Sequence, residues 1–175
     1  MFKTALVGMT CVAMLWTASS EAEPIRVEWK KSGTLINQLQ MGNPDGSPAN
    51  PAVLIFGKAI GAPGPADIQV ISRLGTPEWS PDCFDGAGGL RFPMVTNDFA
   101  ATLADMSMIT ATLADGYVCM DKTSGNTHAE FNLTVTGGTG RFNGASGDLS
   151  VAVDTFPAGD NMSVETGTIA GYIEN

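Results

Sequence analysis

The chain has 175 residues and a net charge of −9, from 9 Lys and Arg against 18 Asp and Glu. With no basic cluster able to neutralise a run of phosphates, nucleic-acid binding is excluded as a reading. Apolar residues make up 43% and charged residues 15%, too apolar a mix for a disordered acidic tail; the 21 Gly and 10 Pro, scattered without period, exclude a collagen-like repeat and point to one domain of short strands and tight turns.

Residues 1–22 read as an address. Lys3 is the only charge before Glu21, residues 5–16 are apolar, and Thr17, Ala18, Ser19 and Ser20 are small. This is the pattern of a cleaved signal peptide, with an apolar stretch too short to span a bilayer comfortably. Cleavage after Ser20 and cleavage after Ala22 both fit. The expected location is therefore periplasmic or extracellular, with no transmembrane segment left after cleavage. Cys11 is lost with the leader, leaving Cys83 and Cys119 as an even pair in an oxidising compartment, where a disulfide is the natural state. Two cysteines and one histidine cannot supply a zinc ligand set, so no metal is expected, and no other cofactor.

The remaining residues, 23–175, read as a single β domain. Ile25, Val27 and Trp29 alternate with Arg26, Glu28 and Lys30; Phe131, Leu133 and Val135 alternate with Glu130, Asn132 and Thr134; Leu149, Val151 and Val153 alternate with Ser150, Ala152 and Asp154. Each series is a strand with one buried face. Further strands are expected at 34–40, 52–58, 67–73, 99–103, 106–113 and 116–121, with a hairpin turn at Asp115-Gly116. In 162–173, Val164 has one parity and Ile169 and Ile173 the other, which predicts a bulge at Gly167. Residues 42–51 and 61–65 are loops, because closely spaced Pro and Gly defeat regular structure. The strand number suits an all-β barrel or sandwich.

The segment 137–147 is the most conspicuous. Asn143 stands where a dinucleotide fingerprint wants glycine, a strand follows where a helix is needed, and no Gly-Lys-Ser/Thr is present. The structural reading is a strand, a tight glycine turn and a close approach of two strands, with Phe142 plugging the core and Arg141 facing solvent or a carboxylate. The run VTGGTGRFNGASGDL, built on Gly137, Gly138, Gly140, Arg141, Phe142, Gly144 and Gly147, resembles the signature of the allene oxide cyclase-like and dirigent-like β-barrel proteins. The segment Gly116-Tyr117-Val118-Cys119 resembles that family's central hairpin. The resemblance covers 106–173 and implies an eight-stranded antiparallel barrel with an apolar cavity, often assembled as a dimer or trimer.

Dirigent members carry an arginine late in the glycine motif, where this chain has Ser146. Cyclase members enclose an apolar substrate using a positioned carboxylate, a bound water and shape. Tyr117, Phe131 and Phe142 are the aromatic candidates to line such a cavity, with Glu130 and Asp121 as carboxylates. Parity sets Glu130 opposite to Phe131, which places it on the outside. Other chemistry finds little support. His128 is the only histidine, no Gly-x-Ser-x-Gly elbow is present, and Asp82 and Asp85 read as ordinary loop acids.

The expected function is an exported barrel that holds a small apolar ligand or acts at the cell envelope, without a convincing catalytic set. The alternatives are a cyclase- or dirigent-like enzyme whose cavity shapes a reactive intermediate, and a purely structural barrel plugged by its own side chains.

Overall fold

The computed structural model describes residues 23–38 and 52–175. The expected leader, Cys11 and the loop at 42–51 lie outside the described residues.

Nine strands follow in chain order: β1 (Ile25–Gln38), β2 (Ala52–Ala62), β3 (Ala66–Leu74), β4 (Glu78–Ser80), β5 (Gly89–Leu103), β6 (Met108–Met120), β7 (Thr127–Thr139), β8 (Ser146–Gly159) and β9 (Met162–Glu174). A 3₁₀ turn, Gly140–Phe142, joins β7 to β8. The sheet runs β3-β2-β1-β9-β8-β7-β6-β5, and β3 pairs with β5 to close it. All pairs are antiparallel, so eight strands form a closed barrel without a free edge. The short β4 pairs with β5 at Glu78↔Arg91, beyond the end of the β3 pairing, and prolongs that edge.

Alternation along the strands fills the interior. Val27, Trp29, Ile68, Ile109, Leu133, Leu149, Ile169 and Ile173 point inward and are almost fully buried. Trp29 also satisfies its ring nitrogen, since Nε1 donates to Gly64 O at 2.8 Å. The interior has two ends. One is bounded by the β2–β3 turn, the β5–β6 turn and the 3₁₀ turn, and the other by the β3–β5 connection, the β6–β7 turn and the β8–β9 turn.

Glycine does its work at the first end. A side chain at Gly138 would put its first carbon 2.1 Å from Met108 O, and Gly140 has φ +62° against Ser107. Only glycine tolerates both demands at no steric cost. The chain can therefore turn inward at Phe142, whose ring is 0% exposed. Arg141 stays outside, 3.4 Å from the Asp105 carboxylate.

Cys83 and Cys119 form a disulfide with Cα atoms 5.6 Å apart. Both sulfurs are buried where the β4–β5 turn folds over the outer wall of β6.

Two expectations about register are corrected. Residues 108–120 are one strand, and Asp115-Gly116 is an irregularity inside it rather than a hairpin turn; the pairing with β7 shifts between Leu113 and Asp115. A turn there would leave β5 and β7 without a common partner in the closed wall. Gly167 carries no bulge, because β9 pairs with β1 in unbroken register from Met162 to Ile173. Val164 simply faces out, and Ser163 and Glu165 face in.

Candidate functional site

The second end of the barrel is hollow. An apolar cavity of about 420 Å³ opens there, walled by Leu35, Ile55, Val70, Met94, Phe131 and Val153. Its size lies within the range of small-molecule sites. The inward positions here are small or slim, Ala129, Val153, Thr155 and Ser163 among them, so neighbouring side chains do not meet across the axis.

Two charged residues stand inside. Lys31 follows Trp29 in the inward series of β1, and Glu165 occupies the inward series of β9. Register sets Lys31 against Gly167 and Gly33 against Glu165, so the two side chains meet on the diagonal. Lys31 Nζ lies 2.5 Å from Glu165 Oε1, with side chains only 3% and 1% exposed. A buried ion pair of this kind is costly to desolvate, and either partner alone would be far worse.

Oε1 is buried, and among the described residues the Lys31 ammonium is its one polar partner. Gly33 keeps the oxygen clear, because a first side-chain carbon there would lie 3.0 Å from it. The hydroxyls of Thr155, opposite Glu165 in the pairing, and of Ser163 border the same space. On the far wall Asn97 Nδ2 donates to Ser72 Oγ at 2.9 Å, while Asn97 Oδ1 is buried without a partner among the described residues.

Of the three aromatics expected to line a cavity, Phe131 does so. Tyr117 does not: the irregularity before it reverses the strand's parity, so Val118 and Met120 face in and Tyr117 faces out. Phe142 fills the opposite end. Glu130 is exposed, and Asp121 accepts from Thr123 N and Ser124 Oγ within the β6–β7 turn. Asp82 and Asp85 are exposed in the turn around Cys83. Lys31 and Glu165 were not among the expected site residues. Continuing the alternation two positions past Trp29 was the available signal for Lys31.

Tyr117 belongs to a polar ladder on the outer wall. Its hydroxyl donates to Glu130 Oε2 at 2.6 Å, and Arg91 lies over its ring at 4.3 Å. His128 Nδ1 meets Asp154 at 2.7 Å and Nε2 meets Glu130 at 3.3 Å. Carboxylates on both ring nitrogens favour the doubly protonated imidazolium. The Asp154 hydrogen bond, with lesser help from Glu130, raises the His128 pKa above its ordinary 6.5. The Tyr117 hydroxyl, then His128, lower that of Glu130. The bond to Glu130 raises Tyr117. These are cross-strand pairs on an exposed face, with Tyr117 opposite Glu130 and His128 opposite Asp154. They brace the wall beside an open surface groove of about 680 Å³ lined by Arg91, Tyr117, Glu130 and Asn132.

Among the described residues no group of three His, Cys, Asp or Glu is placed to hold a metal ion, and no helix is long and apolar enough to cross a membrane. No protein-family model, curated protein or solved structure matches the chain.

Proposed function

We propose that this protein is an exported ligand-holding barrel that carries a small apolar molecule in the hollow end of its interior. The observation that carries the reading is the 420 Å³ apolar cavity in a barrel whose other end is packed solid. The N-terminal pattern and the Cys83–Cys119 disulfide support export. The resemblance to allene oxide cyclase-like barrels supports a cavity that serves apolar molecules. Native mass spectrometry of the secreted protein tests this. Excess mass removed by organic extraction supports it; an interior that stays ligand-free from every source and with every added apolar compound overturns it.

A second reading, a cyclase-like enzyme, is favoured by one observation: Glu165 places a carboxylate in an apolar cavity. In that reading the cavity restrains a reactive intermediate and Glu165 accepts a proton or hydrogen bond from it. Turnover abolished by Glu165→Gln, with ligand binding retained, distinguishes the two.

Assembly into a dimer or trimer is part of the proposal. Phe156 and Val164 are paired neighbours on β8 and β9, and Ile36 and Phe56 continue the exposed apolar surface onto β1 and β2. Such patches commonly mark association surfaces. Sedimentation equilibrium gives the stoichiometry, and a monomer at all concentrations removes this part.

A further inference from the structure

The hollow end contains a nucleophile that packing does not require. Lys31 borders the cavity, is 4% exposed, and is the only amine among the residues that line it; that lining includes no cysteine and no histidine. Its companions Leu35, Ile55 and Val70 are aliphatic. Replacing a buried ion pair by apolar side chains of similar volume is often neutral or stabilising, so cohesion of the barrel gives no reason for an ammonium and a carboxylate here.

Reactivity gives one. A lysine in apolar surroundings, beside a group that takes its proton, is the arrangement that turns an amine into a nucleophile toward a carbonyl carbon. Glu165 Oε1, 2.5 Å from Lys31 Nζ, is in position for that proton transfer without rearrangement. Charge then selects the head of the ligand. A carboxylate or an ammonium would bring a third, uncompensated charge into the barrel. A carbonyl compound enters uncharged, and an aldehyde, with hydrogen on one side of its carbonyl carbon, is the least crowded for attack.

We infer that Lys31 captures a medium-length aliphatic aldehyde as an imine, with Glu165 moving the protons, an inference that rests on the ligand-holding reading.

The step balances without any further reactant. Glu165 takes one proton from the Lys31 ammonium, and the freed nitrogen lone pair attacks the carbonyl carbon. A second nitrogen proton passes to the former carbonyl oxygen, giving a carbinolamine. Glu165 returns its proton to that hydroxyl, water leaves, and the nitrogen lone pair forms the C=N bond. The product is an iminium beside a carboxylate. One cation and one anion are buried before the reaction and after it, so the desolvation cost of the pair is unchanged.

The rest of the wall defines the body of the ligand. Val153 adds to the aliphatic surface, and Met94 and Met120 adapt to irregular shapes. A volume of 420 Å³ equals about 14 waters at roughly 30 Å³ each, room for a medium-length chain rather than a long lipid.

The test is reductive trapping. The purified, oxidised protein is incubated at neutral pH with decanal and sodium cyanoborohydride, which delivers hydride to the iminium carbon and leaves a stable secondary amine. Intact and tandem mass spectrometry count the decyl groups and place them. Expected is one decyl group per chain, on Lys31, formed about tenfold or more faster than on the exposed Lys30, Lys58 and Lys122. 1-Decanol, which has the same chain and no carbonyl, slows this labelling and leaves no adduct. In Lys31→Met/Glu165→Leu the fast adduct is lost while the neutral apolar dye Nile red still binds. Lys31→Arg, which keeps a cation opposite Glu165, loses the adduct too. Labelling of Lys31 no faster than of the exposed lysines, or a fast adduct that persists in both variants, overturns the imine; Nile red bound by the parent and displaced by 1-decanol then leaves the ligand-holding cavity in place. Failure of Nile red, 1-decanol and decanal alike to bind the parent overturns the ligand-holding reading itself, and the imine with it.

Discussion

The two ends of the barrel interior are built from the same eight strands and reach opposite results. At one end Trp29, Phe142, Ile109, Ile169 and Ile173 close the axis with side chains no more than 1% exposed. At the other, Ala129, Thr155 and Ser163 leave it open around a buried ion pair. Small barrels are wide enough for their own side chains to fill, so a hollow end reflects the residues chosen there and not the strand count. The closed end provides cohesion. The open end gives up packing and admits a buried charge pair, which is the usual mark of a site rather than a core.

Substitutions sharpen that contrast. Phe142→Ala removes a ring enclosed on all sides and should destabilise the fold by about 3–5 kcal/mol, whereas Phe131→Ala, facing the cavity, costs clearly less because fewer packing atoms are lost. Urea unfolding measures both, and equal losses would mean that the two ends are packed alike. At the ion pair, Glu165→Leu alone strands Lys31 and costs about 3–5 kcal/mol, while Lys31→Met/Glu165→Leu comes within about 1 kcal/mol of the parent or exceeds it. A double variant as damaged as the single one would show that the pair holds the open end together. Removing the disulfide, which closes a 36-residue loop on the open side, should cost about 3–4 kcal/mol in Cys83→Ala/Cys119→Ala.

The smallest effect belongs to the outer ladder. His128 binds its proton more tightly when folded, so its contribution is complete below its ordinary pKa of 6.5 and is lost as pH rises through the raised folded value. Glu130 works in the other direction: its contribution is complete above its ordinary 4.5 and is lost as pH falls through the lowered folded value. Both are therefore complete between about pH 4.5 and 6.5. With these groups this exposed, the gain stays below about 1 kcal/mol. An NMR titration of His128 in the folded protein that gave an ordinary midpoint would remove the ladder.

The barrel was legible where inward positions are apolar. Val27 and Trp29, or Leu149, Val151 and Val153, announce their strands by alternation alone. Tight glycine contacts around Phe142 were legible too, because the glycines cluster and few other residues fit such a turn. The open end was not. Lys31 and Glu165 have the inward parity of their strands, but charged residues at these positions read as solvent-facing. Val164, apolar yet 47% exposed, made the parity of β9 look reversed and suggested a bulge at Gly167. Asp115-Gly116 has the composition of a hairpin turn, and only closure of the sheet reveals it as an irregularity within β6. The same irregularity faces Tyr117, a candidate cavity aromatic, outward. Local pattern therefore located the core, while the site depended on long-range pairing of β1 with β9, which no local window contains.

The hollow end can be tested by filling it. Ala129 points into the cavity beside Phe131, and Ala129→Trp would occupy much of its volume. Nile red titration of the parent and this variant, with far-UV circular dichroism to confirm the fold, is the direct measurement. Saturable, blue-shifted emission from one site per chain, weakened at least about tenfold by the tryptophan, is the outcome expected of a ligand-holding end. Equal affinity in the two proteins would mean that the dye binds elsewhere and that the cavity holds nothing.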